Sequence, residues 1–296
     1  MAIPESHLDT WAKQGSVTQS STTYATIKGA LEATSANYAA KNFEVFLQGS
    51  YGNDTNIYAE SDVDVVIRLD SIFHYNLDDL TPTEKAAFES AHSGGAAYSY
   101  ASFKSDVKGA LGSKFGSDVK DSKNAVKVKA NGSRRNADVL VATEFRQYQN
   151  FFSISNQRYM AGVCFFTSAG NRIVNYPKQH SVNCTAKHQA SNSWFKPMIR
   201  IYKNARGKLV NDGAIDQTTA PSYFIEGLLY NVPNYLFTGT YGDAFVASFK
   251  WILQADRSKF VTVNEQYPLL GDSAVTWPAA NCNLFLDTLA KLWNNW

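Results

Sequence analysis

Two short stretches carry the clearest hydrophobic patterning in the chain. Phe43-Glu44-Val45-Phe46-Leu47 alternates and stops at Gly49-Ser50, and Val63, Val65, Val66 and Ile67 form a β-branched run ending at Leu69. Period-two patterning of β-branched and aromatic residues between polar turns predicts two strands joined by a polar segment. Upstream, Val17 to Ala40 is rich in Ser, Thr, Ala and Tyr, and Tyr24, Ile27, Leu31 and Tyr38 fall at intervals suiting one helix face, which predicts a long first helix. Thr81-Pro82-Thr83-Glu84 has the grammar of a helix start, proline in the first turn and a glutamate reaching back three positions. It predicts a helix over about Thr83 to His92, ended by Ser93-Gly94-Gly95.

Val126 to Ala130 and Ala137 to Thr143 bracket the loop Asn131-Gly132-Ser133-Arg134-Arg135 and predict neighbouring antiparallel strands. Gly162 to Thr167 and Arg172 to Asn175 predict another pair, turning at Ser168-Ala169-Gly170-Asn171. After Pro177 the period becomes helical: Phe195, Met198, Ile199 and Tyr202, then Phe224, Ile225, Leu228 and Leu229, then Leu284, Leu289 and Leu292 within the last 30 residues. The expectation is an α+β protein with a mixed-sheet part over residues 1–180, including a long N-terminal helix, and a helical lobe over residues 181–296.

With 296 residues, 44% of them hydrophobic, and 18 Phe, 16 Tyr and 6 Trp, the chain can bury a large core, and disorder is excluded as its main state. A formal charge of +2 does not favour long nucleic acid as a partner, whereas a small polyanion needs only a local basic patch. No run of about 18 apolar residues is available to span a bilayer, and Met1 to Asp9 lacks the basic start and apolar middle of a signal peptide. A soluble, cytoplasmic protein with no membrane partner is expected. Cys164, Cys184 and Cys282, odd in number and widely spaced, do not read as a disulfide framework.

The chemistry concentrates in Leu47-Gln48-Gly49-Ser50, eleven intervening residues, then Asp62-Val63-Asp64-Val65. Two aspartates two apart on a strand project from one face, with Val63 and Val65 turned into the core to hold them. Like charges that close repel, and a divalent cation preferring hard oxygen ligands, magnesium above all, is the usual compensation. A Gly-Ser turn directly after a strand can offer N–H groups and a hydroxyl to phosphate oxygens. Asp138, in Asn136-Ala137-Asp138-Val139-Leu140-Val141, is a third acid opening an apolar strand. Three aspartates on adjacent strands can hold two metals, one activating a hydroxyl and one neutralising a triphosphate, which is the chemistry of phosphoryl or nucleotidyl transfer. A lone Gly-Ser is usually a turn and a lone Asp-x-Asp a solvated strand end; the ordered combination carries the signal.

That combination resembles the signature of the DNA polymerase β-like nucleotidyltransferase superfamily. The fuller Leu47-Gln48-Gly49-Ser50-Tyr51-Gly52-Asn53-Asp54-Thr55-Asn56 and Ser61-Asp62-Val63-Asp64 resemble the bacterial cGAS/DncV-like nucleotidyltransferases. Asn175-Tyr176-Pro177-Lys178-Gln179-His180, Phe195 to Asn204 and Ser222-Tyr223-Phe224-Ile225-Glu226 are similar to that family as well, so the resemblance covers nearly the whole chain. It implies a polymerase β-like core with a helical lobe closing the active-site cleft. The implied activity joins nucleoside triphosphates into a cyclic oligonucleotide, a dinucleotide, for antiphage signalling. By the match, Asp62, Asp64 and Asp138 hold two Mg2+ ions, with Asp138 nearest the attacking ribose hydroxyl. Gln48, Gly49 and Ser50 contact the donor triphosphate, Lys203 and Ser222 grip its β and γ phosphates, and Tyr223 stacks on a base. Implied partners are nucleoside triphosphates and the regulatory or effector proteins of a defence operon. A transferase acting on a drug, protein or RNA acceptor, and a non-catalytic nucleotide sensor, remain alternatives.

Other residues add less. Lys196, Arg200 and Lys203 recur at four and three residues on a predicted helix, opposite Phe195, Met198, Ile199 and Tyr202, and define one cationic and one buried face. Such a face is usually solvated. Arg134 and Arg135 read as an exposed charged loop in preference to a substrate contact. His180, Cys184 and His188 are spaced by fours, but a structural zinc site wants four ligands, so His180 is read as a hydrogen-bonded residue. Thr167 is a candidate neighbour of a base.

Overall fold

A computed structural model describes residues 2–58 and 62–296; Ser61 of the motif lies outside the described residues, as does Met1. In chain order the first elements are α1 (Glu5–Ala12), α2 (Thr18–Leu31), β1 (Phe43–Leu47), a one-turn α3 (Gly49–Gly52), β2 (Val63–Asn76), α4 (Pro82–Ala91) and α5 (Tyr100–Phe115). Then follow β3 (Val119–Asp121), β4 (Val126–Val128), β5 (Ala137–Ser153), β6 (Asn156–Phe166) and β7 (Arg172–Asn175). The rest is helical: α6 (Pro177–Ala190), α7 (Phe195–Asn211), α8 (Ser222–Tyr230), α9 (Tyr241–Gln254) and α10 (Ala279–Asn294).

The chain forms two compact units. A sheet unit comprises Thr18–Gln48 and Asp62–Pro177; a helical unit comprises Met1–Val17, Gly49–Ser61 and Lys178–Trp296. The helical unit thus takes in two segments from the first quarter of the chain.

The sheet unit is a mixed sheet in the order β1-β2-β5-β4-β3, with β6 pairing β5 and β7 pairing β6. β1 runs antiparallel to β2, β2 parallel to β5, and β4 antiparallel to the start of β5. Further along, β5 pairs antiparallel with β6. β5 extends well past the Thr143 end that its apolar run predicts. Its later polar residues are satisfied in pairs: Arg146 bonds Glu144 at 2.7 Å and lies 3.9 Å from the Phe73 ring centroid. α2 stops at Leu31, short of the expected Ala40, because Tyr38 folds back to donate its hydroxyl to Leu31 O at 2.8 Å and packs edge-on against Phe103. α5 was hidden by its Gly, Ser and Lys content, and buries only Phe103, Val107 and Leu111 at four-residue spacing. α4 begins as its sequence predicts, with Glu84 N–H donating to the Thr81 hydroxyl at 3.4 Å and Glu84 Oε2 accepting from Thr81 N–H at 2.9 Å.

In the helical unit, α1, α8, α9 and α10 all pack on α7. The core draws on Leu8 of α1, Phe195, Met198, Ile199 and Tyr202 of α7, Phe224 and Leu228 of α8, Phe245 of α9 and Phe285 of α10. Gly15 shows how closely its segments approach: a Cβ there would stand 2.7 Å from both C and O of Ile57. Neither backbone atom can swing aside as a side chain would. Gly15→Ala is expected to cost about 1–3 kcal/mol of stability, measured as a lower midpoint of urea unfolding at unchanged slope.

Candidate active site

In the sheet unit, the parallel register of β2 and β5 pairs Asp64 with Asp138, and β4 sets Lys127 opposite Asp138. Paired residues of neighbouring strands project to the same face, so these three share a row. Gln48 extends that row: it follows the Leu47–Val65 pair, and its N–H donates to Asp64 O at 3.0 Å. Alternation turns Val63 and Val65, both fully buried, to the opposite face. On the face of the acids, one period further into the sheet, Val66 and Leu140 belong to a buried cluster with Ala142, Val163 and Phe165.

Asp62 is exposed just before β2, and its charge reaches Asp138. Burial raises the Asp138 carboxyl above its ordinary pKa; the Lys127 ammonium 3.7 Å away pulls it down, and Asp62 pushes it up again. Both neighbours therefore act on a carboxylate whose ionised form is already disfavoured. Among the described residues, no group of three or more His, Cys, Asp or Glu side chains is gathered to hold a metal ion. The register supplies an in-line carboxylate pair with a third acid within range of charge. Hard oxygen donors on one face, one of them raised by burial, fit Mg2+ in chemistry.

The loop Asn131 to Ser133 is exposed as expected, while Arg134 and Arg135 at its end are half-buried. Arg134 bonds Asp118 at 2.7 Å and Lys129 O at 2.8 Å, while the Arg135 N–H donates to the Thr23 hydroxyl at 2.9 Å. Arg134 is thus held by its neighbouring hairpin, and the Arg135 backbone is tied to Thr23 of α2. Thr167 accepts the Asn171 N–H on its hydroxyl oxygen at 3.1 Å and so closes the β6–β7 turn.

In the helical unit, Gly49 opens α3 at φ 65°, a left-handed value that favours glycine. The turn folds back on itself: Asn53 N–H donates to Gly49 O at 3.1 Å and Thr55 N–H to Ser50 O at 2.9 Å. The α7 cations seize the residues that follow. Lys196 Nζ lies 2.9 Å from Asp54 Oδ2, Arg200 Nη1 donates to Asp54 O at 2.6 Å, and Lys203 Nζ to Thr55 O at 3.0 Å. The expected solvated cationic face is instead buried at all three positions, with Lys203 wholly inaccessible. Ser222, half-buried, opens α8 next to Tyr223, whose ring stacks 5.6 Å from Trp277 and whose hydroxyl accepts from Asn264 Nδ2 at 2.9 Å.

Two residues of this unit were given no role from sequence. Thr55 donates its hydroxyl to Glu226 Oε1 at 2.6 Å, and Glu226 Oε2 meets His180 Nε2 at 2.8 Å. His180 is therefore hydrogen-bonded, as read. Cys184 turns into the core, where burial and the nearby Glu226 push its thiol up to about 12. The signal for the Thr55 network lay in the polar run Asn53-Asp54-Thr55-Asn56 facing cations at helical spacing.

Residues 182–294 match the cGAS/DncV-like nucleotidyltransferase C-terminal helical domain. The chain is 40% identical over 298 residues to the cyclic UMP-AMP synthase of Rhodothermus marinus (strain SG0.5JP17-172), covering 100% of this chain and 99% of that protein. It is 34% identical over 303 residues to the cyclic nucleotide synthase CdnE01 of Staphylococcus haemolyticus, covering 100% of both. Its fold matches the structure of the Rhodothermus marinus CdnE c-UMP-AMP synthase with Apcpp and Upnpp at a TM-score of 0.89 and 39% identity, over 99% of this chain and 97% of that one.

Proposed function

We propose, because the chain belongs to the cGAS/DncV-like nucleotidyltransferase family, that it condenses two nucleoside triphosphates into a cyclic dinucleotide and releases pyrophosphate. The observation that carries the reading is the in-register Asp64–Asp138 pair, lying in a chain similar from end to end to a cyclic UMP-AMP synthase. That likeness also supports nucleoside triphosphates as substrates, since the matched Rhodothermus structure holds Apcpp and Upnpp.

Asp62, Asp64 and Asp138 are the residues that would hold two Mg2+ ions. Such ions, when bound, neutralise triphosphate charge and lower the pKa of an attacking hydroxyl. Asp138, following the family resemblance, is assigned to the ribose hydroxyl. Gln48, on the same row, is assigned with Gly49 and Ser50 to the donor triphosphate, Ser222 to its terminal phosphates and Tyr223 to the base. Lys203 acts from beneath, by holding the Thr55 carbonyl. Orientation supplies most of the catalysis, because two bound nucleotides become an intramolecular pair. A second round on the linear intermediate closes the ring. Antiphage signalling is the proposed use of the product, on the strength of the family resemblance.

The test is incubation of the protein with magnesium and equal ATP, GTP, CTP and UTP, followed by mass spectrometry. A cyclic dinucleotide and pyrophosphate are expected without any second substrate, and the masses read out the bases. Product that appears only on adding a drug, protein or RNA acceptor would replace this reading.

A further inference from the structure

Glu226 sits in α8 at 3% exposure and His180 in α6 at 3%. An ionised carboxylate that deep is retained only where its oxygens are both engaged. Here they are: Oε1 takes the Thr55 hydroxyl at 2.6 Å and Oε2 faces His180 Nε2 at 2.8 Å. Burial would raise the Glu226 carboxyl, yet the His180 bond and charge, Lys203 and Thr55 together hold it below the usual carboxylate range. Thr55 is the hub. Its hydroxyl goes to Glu226, its carbonyl receives Lys203 Nζ at 3.0 Å, and its N–H donates to Ser50 O at 2.9 Å. On the far side, the His180 ring lies 5.0 Å from that of Tyr223. His180 Nδ1 is buried without a hydrogen-bond partner among the described residues, so the bond to Glu226 is what orients the ring there.

We propose that Glu226 and His180 are a positioning pair for nucleotide binding: acting through the Thr55 hydroxyl, they hold the Ser50 turn in the shape that receives the donor triphosphate and set the Tyr223 ring for its base. The pair touches no reacting atom. Its effect is to remove freedom from the turn before substrate arrives, so its loss falls on substrate affinity more than on the chemical step. The proposal rests on the cyclic dinucleotide reading above.

The experiment uses the full chain and three variants, Thr55→Val, Thr55→Ser and Glu226→Gln. It measures apparent KM and kcat for each triphosphate used, Kd for a non-hydrolysable triphosphate by calorimetry, and thermal unfolding. Thr55→Val keeps the shape and removes the hydroxyl. It is expected to raise KM and Kd about tenfold, the effect of one lost hydrogen bond to a charged group, while kcat falls less than about threefold. Thr55→Ser restores the hydroxyl and is expected within about threefold of wild type. Glu226→Gln still accepts from Thr55 but no longer carries charge toward His180, and should fall between the two. Unchanged KM and Kd in folded Thr55→Val, or activity lost only in proportion to unfolded protein, would overturn the pair's role while leaving the enzyme reading intact. A wild-type protein that makes no cyclic product and binds no triphosphate would take down that reading and this inference together.

Discussion

Asp138→Asn leaves a folded protein whose cyclic product, followed by mass spectrometry at saturating triphosphates, falls about 10³-fold or more, as for removal of a group that stabilises charge in a transition state. The change is nearly isosteric and keeps one oxygen toward Lys127. What disappears is the negative charge on the row that pairs Asp64 with Asp138. Stability moves little, for two opposing reasons. Neutralising Asp138 relieves a carboxylate that burial and Asp62 both oppose. It also gives up an ion pair to Lys127 at 3.7 Å, a half-exposed contact of the kind that contributes about 0–1 kcal/mol. Unfolding and activity should therefore separate cleanly. A variant that retains a tenth of wild-type turnover would remove Asp138 from the reacting centre.

Chelation of divalent cations is expected to have an effect as large. With excess EDTA, product formation should fall to background, and added Mg2+ should restore it. Ca2+, larger and less strict in its geometry, should bind competitively and support little turnover. The physical ground is the like-charge row itself. Asp62 adds to the negative charge felt at Asp138, and the Lys127 ammonium opposite Asp138 stands 3.7 Å away on a side chain 50% exposed. A triphosphate brings further negative charge to that face, and without cations the repulsion opposes binding. Calorimetry gives the independent readout: triphosphate affinity should drop with the metal in wild type and much less in Asp62→Ala combined with Asp64→Ala. Full turnover in EDTA would sink the magnesium assignment.

Several parts of the fold were legible because their signals are local. The Thr81 to Glu84 capping box, the β-branched run of β2 and the helical spacing of Phe195, Met198, Ile199 and Tyr202 each involve residues a few positions apart. α5 was missed because three buried residues in sixteen leave little amphipathic contrast. The second half of β5 was missed because its polar residues look solvated until their partners, Phe73 among them, are known. The long first helix failed for a similar reason, since Tyr38 fits a helical face in sequence but turns back on Leu31 in space.

The candidate site divides the same way. Sequence alone determined which residue types stand together along the chain: two aspartates two positions apart at the head of β2, a third at the head of a later apolar strand, a Gly-Ser turn after β1 and cations at helical intervals on α7. Of the first two, the structure puts Asp64 on the strand and Asp62 just before it. Only the tertiary structure decided that β2 and β5 pair in the register that aligns Asp64 with Asp138, and that Lys196, Arg200 and Lys203 bind Asp54 and Thr55 and are not left in water. Alternation and helical period are properties of neighbouring dihedral angles, so they can be read from the chain. The partner of a buried charge is often a backbone carbonyl, which every residue carries and no sequence marks, and its identity is settled only when distant segments pack.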